Sequence, residues 1–334
     1  MKKLLVHIGY PKTATTTLQH NFFKTLNDKN AIEWIHGNPH YNDNSQLKFK
    51  CEAHIAQITG DGQKDFTAVD IHREKENFKK ITNEISVISD ESLSFKYPGF
   101  SWAYCKDAYD NIDKIKNLFS PYFDTIEIII TARNQQTIIP SFFVQCYKRI
   151  TKEEKRFEKF THWVSDRFLK DNNLEIFNYS EMYNACVKAF SKDNVHILLF
   201  EDLLYNKEFF YKQLANIFSL KMEDVKELIE VNIQNTTEKS KDVYYKKVES
   251  SFHKKIISPI REMIFKGFNE SFYLKSQKLY NLLVPKKLRE GKKSIKKLTE
   301  SETDLIKKRF YASNLEFIED KGLNKEKMEL YKYV

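Results

Sequence analysis

The chain has 334 residues, 41% of them hydrophobic, and 55 Lys and Arg against 46 Asp and Glu leave a net charge of +9. That length suffices for a large core, and no stretch approaches the ~20 consecutive apolar residues of a membrane span. Four scattered cysteines (Cys51, Cys105, Cys146, Cys186) without a CxxC pair argue against a disulfide framework and a zinc motif, and the nine histidines show no HxxxH spacing, so no metal is expected. In chain order, Leu4 to Ile8 reads as a short buried strand, too soon broken to serve as a signal peptide or anchor. Pro11-Lys12 ends it. Thr13, Ala14, Thr15, Thr16 and Thr17 follow, and then a helical period of Leu18, Phe22, Phe23 and Leu26. A strand, a tight loop and a helix start make an anion site: the helix dipole favours negative charge and Lys12 adds a full cation. The simplest alternative is a strand-to-helix turn with capping threonines. A left-handed backbone at position 14 would strain Ala.

His36 and His40 lie near Trp34 and Tyr41, in what reads as a loop beside a pocket. A helix around Cys51–Ala56 carries His54, a second candidate base. The strand Ile85–Ser89 runs into Asp90-Glu91-Ser92. A carboxylate at the C-terminal end of a parallel strand faces the ligand crevice, and Ser89-Asp90-Glu91 resembles the Ser-x-Glu pattern of many bacterial sulfotransferases, which implies Glu91 as the preferred general base; Asp90 would point to the other side if the strand persists. The β-branched run Ile126–Ala132 predicts a central strand ending in Arg133-Asn134, followed by a helix over 138–147 that carries Ser141. A further strand begins at Val195 and leads to Glu201-Asp202, read as a structural cap on the helix Lys207–Phe218. Strands alternating with helical periods predict an α/β fold: a central parallel sheet flanked by helices, in one domain over 1–334. Residues 241–334 read as a helical, basic C-terminal subregion.

The wording of the first loop resembles the 5′-phosphosulfate loop of the sulfotransferase family, Tyr-Pro-Lys-Ser/Thr-Gly-Thr-Thr, with Ala14 where that family most often has Gly. A nucleotide-hydrolysing P-loop would need Gly before its Lys, and here Pro11 stands there. The family also has a strand ending in Arg with a Ser eight residues later, the spacing of Arg133 and Ser141. Gln135 stands where a Pro is usual. The segment Val195–Leu203, with its Glu-Asp-Leu, is similar to a late strand of the same family. The resemblance covers about residues 1–240 and implies a P-loop-like fold. It also implies a donor, PAPS (3′-phosphoadenosine 5′-phosphosulfate), leaving as PAP. Lys12 and Thr13 to Thr17 would hold the 5′-phosphosulfate, and Arg133 and Ser141 the 3′-phosphate.

Overall likeness to bacterial carbohydrate sulfotransferases implies a small-molecule or glycan hydroxyl as acceptor. Sulfuryl transfer needs no metal. A nucleotide-dependent kinase and a non-catalytic nucleotide-binding protein are the alternatives. A strand ending in Arg133 instead of Asp counts against the kinase, and the intact Lys12, Arg133 and Ser141 count against loss of chemistry.

The positive charge is concentrated late: residues 251–300 carry 13 Lys and Arg against 4 Asp and Glu, densest over 285–297. Three uses stay open for that run: closure over the 3′-phosphate, contact with an acidic acceptor or an anionic membrane surface, or a solvated helical face. Nothing resembles a nucleic-acid docking module, so no nucleic-acid partner is expected. A cytoplasmic location is expected, and the oligomeric state is left open.

Overall fold

Apolar, β-branched runs build the sheet. The computed structural model describes residues 1–37, 51–59, 67–94, 105–153, 160–166, 177–230, 244–248, 292–296 and 298–334. Strands β1 (Lys3–Gly9), β2 (Glu33–His36), β3 (Ile85–Ser89), β4 (Thr125–Ala132) and β5 (Val195–Leu199) form one sheet in the order β2-β3-β1-β4-β5. Every pairing is parallel. Both faces are covered, which is why β1 and β4 read as continuous apolar runs.

Successive residues alternate between two cores. Leu4, Val6, Ile8, Ile128 and Ile130 face one core, which takes residues from helices α2 (Glu52–Thr59), α3 (Ala68–Lys79), α4 (Cys105–Phe119), α5 (Gln135–Glu153), α6 (Phe160–Trp163), α7 (Tyr179–Phe190) and a long C-terminal helix. Leu5, Val87, Ile129 and Leu198 face the other, packed with Phe22, Phe23, Phe210, Leu214 and Phe218. Each fully buried side chain of this kind is worth about 1.5–3 kcal/mol over leaving it exposed.

The first helix, α1, starts as Thr15–Thr17, continues as a π-helical stretch, Leu18–Phe23, and returns to α geometry over Lys24–Asp28. Five of the six π-helical residues are buried, so the wider turn puts Gln19 and Asn21 inward beside the apolar residues. Next in the chain come α8 (Phe200–Tyr205), α9 (Lys207–Phe218) and α10 (Met222–Glu230).

The connection after β1 leads to β2 at one edge, whereas that after β4 leads to β5 at the other. The loops leaving these adjoining strands therefore diverge, and the crevice between them is where open α/β sheets bind ligands.

One expectation changes. Trp34 and His36 belong to strand β2 and not to a loop; four residues at a sheet edge carry too little periodicity to be read from sequence. The helical C-terminal region is present, and a strand pair is added to it. β6 (Tyr244–Val248) and β7 (Lys292–Lys296) pair antiparallel, and α11 (Glu300–Lys321) and α12 (Lys325–Leu330) follow. β7 takes up part of the basic run; 285–291 and Lys297, like His40, lie outside the described residues. Among the described residues, no helix is long and apolar enough to cross a membrane. Cys51 and Cys186 are buried free thiols, and burial pushes both well above the ordinary thiol range.

Candidate functional site

The loop after β1 depends on a close approach at Gly9. A Cβ there would lie 2.2 Å from Thr15 Cγ2 and 2.8 Å from Thr131 Oγ1. The absent side chain lets the start of α1 fold back against the end of β4. The loop then takes left-handed backbone at two non-glycine residues, Lys12 (φ 69°) and Ala14 (φ 68°). The strain that Ala14 would suffer at positive φ is therefore present, about 1–2 kcal/mol for such a residue. Lys12 is exposed at the tip of the loop. Ala14, the N-cap of α1, makes no side-chain cap hydrogen bond, and that end of the helix favours an anion. Thr13 turns inward: its hydroxyl bonds the Tyr10 carbonyl at 2.6 Å and Thr131 Oγ1 at 2.7 Å. Thr15 is buried and donates to Glu91 Oε1; Thr16 and Thr17 are half-buried on the first turn.

The second loop meets the first directly. Arg133 Nη1 donates to the Lys12 carbonyl at 2.9 Å across 121 residues of sequence. Its Nε donates to Thr137 Oγ1 at 2.9 Å, and the guanidinium carbon sits 4.4 Å from the centre of the Phe200 ring. Ser141 is buried one turn beyond Thr137 on the same side of α5. Tyr10 and Tyr179 make a second link: the rings meet edge-on at 4.9 Å, and Tyr179 Oη donates to the Arg133 carbonyl at 2.5 Å. Burial raises the Tyr179 phenol well above its ordinary range, so it stays a donor.

The strand ends at Ser89, and Asp90 caps a 3-10 turn, Glu91–Leu93, that sends the two acidic side chains to different partners. Glu91, half-buried, faces Thr15 at the start of α1. Asp90 turns to the other side and takes His36 Nε2 at 2.7 Å, while its second oxygen accepts from the Ser92 N–H at 2.8 Å and the Ser92 hydroxyl at 2.7 Å. Burial would raise the Asp90 carboxyl; the bonds from His36 and Ser92 outweigh it and hold the group below the usual carboxylate range.

His54, the second candidate base, is wholly buried. Its Nδ1 meets Glu74 Oε2 at 2.6 Å, and Glu74 also accepts the Ala53 and His54 backbone N–H groups, closing the start of α2. The ring packs against Phe78 and Phe119. With no exposed edge, His54 is a core residue of α2 and not a group aimed at an acceptor hydroxyl.

The Arg133 loop is held by residues that sequence patterns do not reveal. Asn134 donates its backbone N–H to Glu201 Oε1 at 3.0 Å and its side-chain amide to the Tyr331 carbonyl at 2.9 Å and to the Lys332 carbonyl. Gln135, which replaces the family's usual Pro, exchanges amide bonds with Asn314 of α11 at 3.0 and 3.2 Å. Tyr333 donates to Glu201 Oε2 at 3.0 Å, and Tyr331 to Asp202 Oδ1 at 2.9 Å. Glu201 and Asp202 thus do not cap α9; they lie in α8 and bind the segment 327–333 and the Arg133 loop. Burial pushes the Glu201 carboxyl above its ordinary range, opposed by the Asn134 N–H, the Arg133 charge and the Tyr333 hydroxyl. Among the described residues, no group of three His, Cys, Asp or Glu is placed to hold a metal.

No protein-family model matches this sequence, and comparison with curated proteins finds no match. Among solved structures, the chain is similar to a sulfotransferase from Alicyclobacillus acidocaldarius, with 10% identity and a TM-score of 0.39. That alignment covers 68% of this chain and 89% of the other.

Replacing Ala14 by Gly removes the left-handed penalty and restores freedom to the unfolded chain, for a net gain of about 0.5–1 kcal/mol in denaturant unfolding. Equal or lower stability would contradict the left-handed backbone at this position. Asp90→Asn is expected to cost about 1–3 kcal/mol at pH 7. Because the folded pKa of Asp90 is depressed, its contribution is full above about pH 4, near the unfolded value, and is lost as pH falls through the folded value. The difference between wild type and variant in unfolding experiments should therefore shrink below pH 4.

Proposed function

We propose that this chain is a sulfotransferase that moves a sulfuryl group from PAPS to an acceptor hydroxyl. The observation that carries the reading is the 2.9 Å bond from Arg133 to the Lys12 carbonyl. It puts the two segments that resemble donor loops side by side at the C-terminal ends of adjoining strands, 121 residues apart in sequence.

In this reading the start of α1, with Lys12 and Thr13 to Thr17, takes the 5′-phosphosulfate, while Arg133 and Ser141 take the 3′-phosphate. The acceptor oxygen attacks sulfur in line. A new S–O bond forms, the bond from sulfur to the 5′-phosphate oxygen breaks, and PAP leaves. Negative charge grows on that phosphate oxygen, where the Lys12 cation and the helix start stabilise it. The acceptor proton passes to Glu91, whose carboxylate Thr15 orients. No step requires a metal. A glycan hydroxyl is the acceptor class we propose, on the resemblance to bacterial carbohydrate sulfotransferases.

Calorimetric titration without metal tests the donor. PAP should bind and AMP, which lacks the 3′-phosphate, should bind far more weakly. Arg133→Ala should lower PAP affinity about 10- to 100-fold, the worth of a charged hydrogen bond, and bring it towards that of AMP. Equal binding of both nucleotides to the wild type would sink the reading and direct attention to ATP with magnesium. Glu91→Gln should leave PAP affinity unchanged and reduce turnover about 10²- to 10⁴-fold. Unaltered turnover would remove Glu91 from the base role.

A further inference from the structure

Beneath the Lys12 loop runs a buried line of polar side chains from β1, the loop itself, α1, β3 and β4. Gln19 Nε2 of α1 donates to the Ser89 carbonyl at 2.9 Å and to Ser89 Oγ at 3.0 Å. Ser89 Oγ of β3 meets His7 Nδ1 at 2.8 Å. His7 Nε2 meets Thr131 Oγ1 of β4 at 3.2 Å, Thr131 Oγ1 meets Thr13 Oγ1 at 2.7 Å, and Thr13 donates to the Tyr10 carbonyl at 2.6 Å. All five side chains are at most 3% exposed.

The direction of the bonds from Tyr10 back to His7 follows from the last one, and the bond to Ser89 follows once the ring is neutral. A carbonyl can only accept, so Thr13 spends its hydrogen on Tyr10 and must accept from Thr131. Thr131 has then spent its own hydrogen and must accept from His7, which requires a proton on Nε2. At the other end, Ser89 accepts from the Gln19 amide, and its own hydrogen goes to His7 Nδ1. A proton on Nδ1 would make Ser89 Oγ an acceptor on both sides and reverse this order. No carboxylate belongs to the line, and burial pushes the His7 imidazole down to about 3.

We propose that His7 is the positioning residue of the donor loop: with its proton on Nε2 and Nδ1 left as an acceptor, it directs a one-way chain of hydrogen bonds that ends on the Tyr10 carbonyl and holds the left-handed backbone at Lys12 and Ala14. Left-handed non-glycine residues persist only where the surroundings over-determine them. Here the surroundings are β3, β4 and α1, joined through one imidazole at the centre of the sheet. The loop amides and Lys12 then meet an anion without reorganising.

The inference rests on the proposed function only for its nucleotide measurement. The first experiment reads the His7 ring nitrogens by long-range ¹H–¹⁵N correlation on the full chain labelled with ¹⁵N-histidine at pH 7. A protonated Nε2 with a bare Nδ1 is expected; a proton on Nδ1 overturns the proposal. The second compares Thr131→Val, which removes the hydroxyl at nearly constant shape, with Thr131→Ser, which keeps it. In Thr131→Val, amide exchange at residues 10 and 12–15 should rise about tenfold or more while the rest of the sheet keeps its protection, and PAP affinity should fall about tenfold or more. Thr131→Ser should restore both. Unchanged loop exchange in Thr131→Val, or equal damage in Thr131→Ser, overturns the positioning role. Should Thr131→Val not fold, Ser89→Ala takes its place, with the same expected effect and the same grounds for rejection. If the wild type binds no PAP, the functional reading fails alone, and the ring and exchange measurements still decide the role of His7.

Discussion

The shape of the site depends on two left-handed residues, Lys12 and Ala14, set one apart in a loop with no glycine at either position. Local preference opposes both by about 1–2 kcal/mol each. The loop keeps its form because strands β3 and β4 grip it from either side. Thr131 and Arg133 reach it from the end of β4, Ser89 through His7 from the end of β3, and the bare Cα of Gly9 lets Thr15 close over the strand. A parallel sheet with β1 at its centre makes this grip possible. β4 runs level with the end of β1 (Gly9 opposite Thr131), while β3 ends opposite His7, so Ser89 reaches the loop only through that ring.

The interior near the loop is polar, which costs energy unless every group is bonded. Thr13, Gln19, Ser89 and Thr131 all have partners, and His7 is kept neutral by burial. The charged groups are arranged differently. Asp90 stays ionised because His36 and Ser92 compensate for its burial, while Glu201 is pushed up despite the Arg133 charge. One carboxyl thus supports the turn after β3 as an anion. The other joins Asn134 to Tyr333 and so couples the Arg133 loop to the segment after α12.

Much of the fold was legible because it rests on local signals. The apolar runs at 85–89 and 195–199 and the helix Lys207–Phe218 appear where periodicity predicted them. Asp90 and Glu91 have different partners because the strand stops at Ser89 and Asp90 caps a 3-10 turn, which strand alternation did not foresee. The edge strand β2 was missed for want of length, and the π-helical stretch of α1 because Leu18, Phe22, Phe23 and Leu26 suit an ordinary helix equally well. His54 illustrates a different failure. A histidine on a short helix carries no mark of which way it faces, and its true partner, Glu74, lies 20 residues on in another helix.

By itself the sequence determined where the chain turns from strand to loop to helix, since sterics and burial act over a few residues. It therefore placed Lys12 and Arg133 each at the end of a strand. Only the tertiary structure decided that these two ends meet, that Glu201 and Asp202 serve the segment 327–333 and not the helix after them, and that His7 stands between Ser89 and Thr131. Those outcomes hang on hydrogen bonds between residues 82 to 132 positions apart. Such bonds leave no periodic trace along the chain, because each depends on the order in which the strands are laid side by side.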